Sequence, residues 1–161
     1  MKGVDMKNFL SKLCLTGMFI FVACSLGAAE KAGESLWLED YAQVRRLAAQ
    51  KKRPILMLFS GSDWCPPCIR LEKEVFQQKP FADFAASGKV ILFWADFPRT
   101  KKQNSKIAAQ NRQLMQVYRV NGVPSVILTD PSGKEFARTG YRPGGAQAYV
   151  EHLDKLLKKT K

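Results

Sequence analysis

The chain has 161 residues, 46% of them hydrophobic, with 10 Phe and 3 Trp to fill a core. That is enough for one domain and excludes a disordered chain. The 26 Lys and Arg against 14 Asp and Glu leave a formal charge of +12, read as solvated basic faces, with a preference for acidic partners or a membrane surface as the sharper reading; a nucleic-acid partner is not expected in a chain without aromatic interleaving.

Residues 1–29 read as a secretory signal peptide, not as part of the fold. Lys2, Lys7 and Lys12 form a basic start, Leu13 to Leu26 is mostly apolar, and Gly27-Ala28-Ala29 supplies small residues for cleavage. The alternative is a lipoprotein signal, with Phe21-Val22-Ala23 ahead of a lipidated Cys24. Either way the protein is exported, to the periplasm, and residues 30–161 form a single domain of net charge +10. Cys14 and Cys24 leave with the signal, so Cys65 and Cys68 remain as one close pair. A single four-residue ring constrains little of the unfolded chain and is no disulfide framework.

Glu30 to Ser35 is a loose lead-in. Glu39 to Lys52 has helical periodicity, with Tyr41, Val44, Leu47 and Ala48 on one face. Arg53-Pro54 ends it, and Ile55 to Phe59 is a continuous apolar strand. Ile69 to Phe76 reads as a helix with Leu71, Val75, Ile69 and Phe76 inward. Phe81 to Ala86 is a short helix stopped by Gly88. Val90 to Trp94 is a second buried strand, and Pro98 to Ser105 a basic loop. Lys106 to Tyr118 is a helix with Ile107, Leu114, Val117 and Tyr118 inward. Asn121-Gly122-Val123-Pro124 turns into a third strand, Ser125 to Thr129. Asp130-Pro131-Ser132-Gly133 then turns into an antiparallel strand, Lys134 to Thr139. A last helix follows Gly144-Gly145, with Tyr149, Val150, Leu153 and Leu157 on one stripe. Two parallel βαβ units, a hairpin and a helix make a three-layer α/β domain.

The chemistry is concentrated in Asp63-Trp64-Cys65-Pro66-Pro67-Cys68. Two thiols two residues apart, between a buried strand and a helix, are a redox arrangement. The helix start aims partial positive charge at the first sulfur and favours its thiolate. The spacing lets the second sulfur reach back one turn and close a disulfide. Pro66 and Pro67 remove two backbone donors near Cys65 and offer no charge. A less stabilised thiolate makes a less stable reduced form and a stronger reductant, so disulfide reduction or isomerisation-type exchange is favoured over disulfide introduction. A reductase is the first reading, with an oxidant or isomerase as the alternative.

Over about residues 36 to 158 the chain resembles the thioredoxin superfamily. The segments that carry the resemblance are Phe59 to Cys68, Leu71 to Phe76, Val120 to Ser125 and Asp130 to Glu135, which combine Trp-Cys-x-x-Cys with a downstream Gly-x-Pro at a strand start. It looks closest to exported reductase-type members, such as the periplasmic C-terminal domain of the thiol reductase DsbD. The resemblance implies the thioredoxin fold, α/β/α with a central mixed sheet. It also implies roles. Cys65 would be the exposed nucleophile and Cys68 the buried resolving thiol. Pro124 would be a cis-proline facing the disulfide, leaving the Val123 backbone free to pair with an extended substrate chain beside Cys65, and Trp64 is a further candidate substrate contact. Trp64 is then either a core-edge aromatic or a shield for the disulfide. Thioredoxin has a buried Asp in the strand before the motif, where Leu58 and Phe59 stand here. Glu72, four residues after Cys68, is the expected replacement as a proton acceptor; its bland role is a surface ion pair.

The expected activity is therefore a protein-disulfide reductase with no cofactor beyond the Cys65–Cys68 disulfide. Its partners would be disulfide-containing exported proteins and a membrane thiol reductase as electron donor, and it would act as a monomer. A metal site is disfavoured, because no second Cys pair exists and the lone His152 is read as a surface residue. A non-redox peptide-binding or chaperone module, built on the basic loop Arg99 to Lys106, is the remaining class. Asp63 is read as no more than a turn residue.

Overall fold

A computed structural model describes residues 36–158; the expected signal peptide, the lead-in to Ser35 and the last basic residues lie outside them. Nine elements follow one another: α1 (Tyr41–Lys51), β1 (Ile55–Ser60), α2 (Pro66–Leu71, continued by Glu72–Phe76), α3 (Lys79–Ala86), β2 (Ile91–Asp96), α4 (Ser105–Val117), β3 (Ser125–Thr129), β4 (Glu135–Thr139) and α5 (Gly145–Leu157). Four of the five helix starts have a side-chain cap or a proline as their local cause. The Asp40 carboxylate accepts the Gln43 amide ahead of α1, Asn104 accepts the Lys106 amide ahead of α4, and Pro occupies the first turns of α2 and α3.

The sheet order is β2-β1-β3-β4. β2 runs parallel to β1, β3 runs antiparallel to β1, and β4 antiparallel to β3. The sheet is mixed, and the expectation of two parallel βαβ units is corrected: only β1 and β2 form one. The chain from α4 enters the far side of β1 through the tight turn at Gly122-Val123-Pro124 and runs back down the sheet. Periodicity within a strand carries no sign of its direction.

The alternation of β1 divides the core into two layers. Leu56 and Leu58 pack with Leu71 and Val75 of α2, Phe81 and Phe84 of α3, and Tyr149 and Leu153 of α5. Ile55, Met57 and Phe59 pack on the other face with Val44 and Ala48 of α1 and Leu114 of α4. All six residues of β1 are buried, as expected for a strand covered on both faces. On α4 the stripe differs from the expectation. Val117 is 64% exposed, while Asn111 is fully buried. Asn111 tolerates burial because its amide donates to the Asp96 carbonyl at 3.0 Å and its oxygen accepts from Gln110 at 3.1 Å. Nor is His152 a plain surface residue: its Nε2 lies 3.0 Å from the Thr139 hydroxyl and its ring meets Tyr149 edge to face. No helix among the described residues is long and apolar enough to cross a membrane.

Phe81 concentrates the packing of its layer. Its ring stacks on Trp37 at 5.9 Å and meets Phe76 at 4.7 Å and Phe84 at 5.8 Å. Replacing it by Ala is expected to lower stability by about 3–5 kcal/mol, through lost transfer and an unfilled cavity. Urea unfolding measures this, and a loss under about 1 kcal/mol would show that the layer collapses onto the gap.

Candidate active site

Because β2 is parallel to β1 and β3 is antiparallel to it, four loops meet at one end of the sheet. In sheet order they follow β2, follow β1, precede β3 and follow β4. The loop after β1 carries Cys65 and Cys68, joined as a disulfide with Cα atoms 5.2 Å apart. The loop before β3 carries Val123 and Pro124, whose peptide bond is cis.

Cys65 is the N-cap of α2. The Cys68 amide donates to its sulfur at 3.3 Å. Pro66 and Pro67 have no amide hydrogen, so this is the donor that the first turn retains. The Cys65 sulfur also lies 3.6 Å from the Val123 carbonyl oxygen, which a Cys65 thiol would meet as its acceptor. The sequence led us to expect an exposed Cys65 beside a buried Cys68. The two are 3% and 2% exposed. The sulfur is enclosed by its own first turn and the Val123 carbonyl, and the Cys65 amide is tied back to the Gly61 carbonyl at 3.0 Å.

Trp64 is 36% exposed and lies beside the next loop. Its indole N–H donates to the Phe97 carbonyl at 2.7 Å, and the Arg99 guanidinium sits 3.9 Å from its ring centroid. Gly61 makes room for it, since a Cβ there would lie 2.6 Å from the indole nitrogen. Glu72 is half-buried at the point where α2 loosens: the Gln77 amide bonds back five residues to its carbonyl at 2.9 Å. Its carboxylate accepts from the Gln77 side chain at 2.9 Å, a partner that the sequence reading did not anticipate.

Two carboxylates join these loops, and the sequence reading missed both. Asp96, at the end of β2, accepts the Ser62 amide at 3.0 Å and the Ser62 hydroxyl at 2.6 Å. Asp63 is far more than a turn residue. It accepts the amides of Arg99 at 3.0 Å, Thr100 at 2.7 Å and Lys101 at 3.2 Å, and the Thr100 hydroxyl as well. The hydroxyl bond first, then the amides, hold its carboxyl well below the usual carboxylate range. The signal was present as an acid directly before Trp-Cys and a long basic loop downstream, but nothing in the pattern said that the acid would bind amides and not side chains.

A surface groove of about 640 Å³ lies between Arg112, Met115 and Gln116 of α4 and residues 119–121. It contains no cysteine, so thiol chemistry belongs to the loop end of the sheet. Among the described residues no cluster of His, Cys, Asp and Glu is arranged to hold a metal.

The family model described as a thioredoxin-like domain matches residues 41–158. The disulfide bond reductase DsbH of Chlamydia pneumoniae is 35% identical over 127 residues, covering 79% of this chain and 76% of that protein. A solved structure of DsbH oxidoreductase superposes with a TM-score of 0.71 at 34% identity, covering 76% of this chain and 83% of that one. The thiol:disulfide interchange protein DsbD of Pasteurella multocida is 29% identical over 126 residues, covering 74% of this chain but only 19% of that longer protein.

Asp63 yields a pH prediction. A carboxyl whose folded pKa is depressed contributes stability that is full above its unfolded value, about 3.9, and is lost as pH falls through the folded value. Carbon NMR should therefore show the Asp63 carboxyl still ionised at about pH 3. In Asp63→Ala the Arg99, Thr100 and Lys101 amides should lose hydrogen-exchange protection. A midpoint near about 4 would show that these amide bonds do not form in solution.

Proposed function

The chain belongs to the thioredoxin-like family, and we propose that this thiol:disulfide oxidoreductase works as a disulfide reductase on exported proteins. The observation that carries the direction is the single backbone donor left to the Cys65 sulfur, the Cys68 amide at 3.3 Å. Two prolines stand where further donors would be, and neither residue between the cysteines carries charge. The Cys65 thiolate then receives less stabilisation than a first turn with all its amides would give, the reduced form gives up its electrons more readily, and the couple moves toward the reducing end. The 35% identity to a protein named a disulfide bond reductase supports the same direction.

In the proposed cycle the Cys65 thiolate attacks one sulfur of a substrate disulfide. That bond breaks, a Cys65–substrate disulfide forms, and the other substrate sulfur leaves as a thiolate. The Cys68 thiolate then attacks the Cys65 sulfur, closes the Cys65–Cys68 disulfide and expels the second substrate thiolate. Two electrons have passed to the substrate, and a donor dithiol must return them. A membrane thiol reductase is the proposed donor, and export through residues 1–29 places both in one compartment. Val123 borders the sulfur, with Trp64 and Pro124 adjacent in the chain to Cys65 and Val123, and all three are proposed to contact the substrate chain, the Val123 backbone by pairing with it. Glu72 is proposed to take the proton of Cys68, which requires its carboxylate to leave Gln77.

The reduction potential against a glutathione buffer tests the direction. A value near about −270 mV is expected, and one near about −120 mV would make the protein an oxidant. Cys65→Ser should abolish disulfide reduction, and Cys68→Ser should accumulate a mixed disulfide with substrate; a turning-over Cys68→Ser would refute the two-step cycle. Glu72→Gln should slow the second step at low pH and recover as pH rises, and an unchanged pH profile removes Glu72 from the mechanism.

A further inference from the structure

The sheet order places a cation on each side of the disulfide. After β2 comes Arg99, after β1 comes Cys65, before β3 comes Pro124, and after β4 comes Tyr141, which carries Arg70 of α2 against its ring. Each arginine lies over an aromatic ring, Arg99 the more closely. Arg99 lies 3.9 Å from the Trp64 ring centroid and Arg70 lies 5.4 Å from that of Tyr141. Each ring is itself fixed: Trp64 by the Phe97 carbonyl, and Tyr141 by donating its hydroxyl to Glu74 at 2.8 Å. The Arg99 backbone is fixed as well, through Asp63.

A guanidinium stacked on an aromatic face keeps its edge donors for a planar anion and loses little freedom when it binds one. Among the described residues neither arginine forms an ion pair; the pairs present are Lys79–Asp83, Lys89–Asp154 and Arg138–Glu135. The acids nearby are already engaged. Asp63 is taken up by backbone amides, Glu72 by Gln77 and Glu74 by Tyr141. Lys101 and Lys102, both exposed, extend the positive side of Arg99. The rim therefore holds oriented cations whose neighbouring acids do not neutralise them by direct pairing.

We propose that this face selects disulfides set in acidic segments, with Arg99 and Arg70 each receiving a carboxylate that flanks the substrate cysteine. This rests on the reading of Cys65–Cys68 as the reactive disulfide. A chain crossing the sulfur along Val123 and Pro124 meets one arginine on either side. Exposed pairs of this kind are individually weak, and two acting together amount to roughly fivefold in rate.

The test uses the reduced protein and disulfide-linked peptide dimers that differ only at the residues flanking the cysteine, Glu in one and Gln in the other. At about 0.01 M ionic strength the Glu dimer should be reduced roughly fivefold faster, and at about 1 M, where charges are screened within about 3 Å, the two rates should converge. The double variant Arg70→Gln, Arg99→Gln should bring the low-salt ratio close to one. Equal rates at low salt with the Gln dimer reduced would overturn the charge selection and leave the redox reading intact. A ratio unmoved in the double variant would overturn its assignment to these arginines. Reduction of neither dimer would refute the redox reading and this proposal together. The salt response of the unsubstituted protein keeps the test decisive if the double variant does not fold.

Discussion

Two carboxylates from adjacent strand ends set the geometry of the redox face. Asp96 reaches from β2 to Ser62, and Asp63 reaches from the loop after β1 to three consecutive amides after β2. The loops are thus cross-bonded in both directions, and the Phe97 amide adds a backbone bond to Ser60 at 2.8 Å. A charged acceptor on amide donors is a strong hydrogen bond. Without it the indole of Trp64 would lose the carbonyl that orients it, and Arg99 the backbone anchor behind its shelf. The position of everything on the β2 side of Cys65 follows from these bonds.

The other side is set by the sheet and by α2. The antiparallel course of β3 brings Val123 against the Cys65 sulfur, and β4 brings Gly140 close under Pro124, where a Cβ would lie 3.0 Å from the Pro124 carbonyl. The helix that begins at the disulfide is pinned by Leu71 and Val75, which are 1% and 0% exposed, so its first turn cannot drift from the sheet. The widened turn from Glu72 to Phe76 lets the chain pass from the redox helix into the aromatic layer of Phe76, Phe81 and Trp37. Core packing and site geometry are therefore one construction.

Much of this was legible in the residues. The apolar runs at Ile55 and Val90, the turn at Asp130 to Gly133 and the stripe through Tyr149 and Leu153 gave the element order, because burial imposes periods of 2 and 3.6 on a sequence. The cysteine pair was legible because its chemistry needs that spacing. Strand direction was not: β3 reads the same whether parallel or antiparallel, and only pairing decides. Val117 misled because it completes an apolar stripe, whereas the buried position went to Asn111, whose amide closes a bond to the end of β2. Asp63 and Asp96 were invisible as partners because the amides they bind carry no sequence identity. The burial of Cys65 was missed for a like reason, since a backbone carbonyl from another loop covers it.

The paired prolines at the start of α2 carry a last consequence. A pyrrolidine ring fixes φ whatever the state of the neighbouring sulfurs, and here two such rings stand between the cysteines. Opening or closing the sulfur bridge leaves those two torsions where they were. The first turn therefore has little φ freedom with which to answer a change of electron count. That stiffness favours a redox state read at the sulfur atoms over one read from a rearranged first turn, with electron traffic directed by the relative potentials and concentrations of the neighbours.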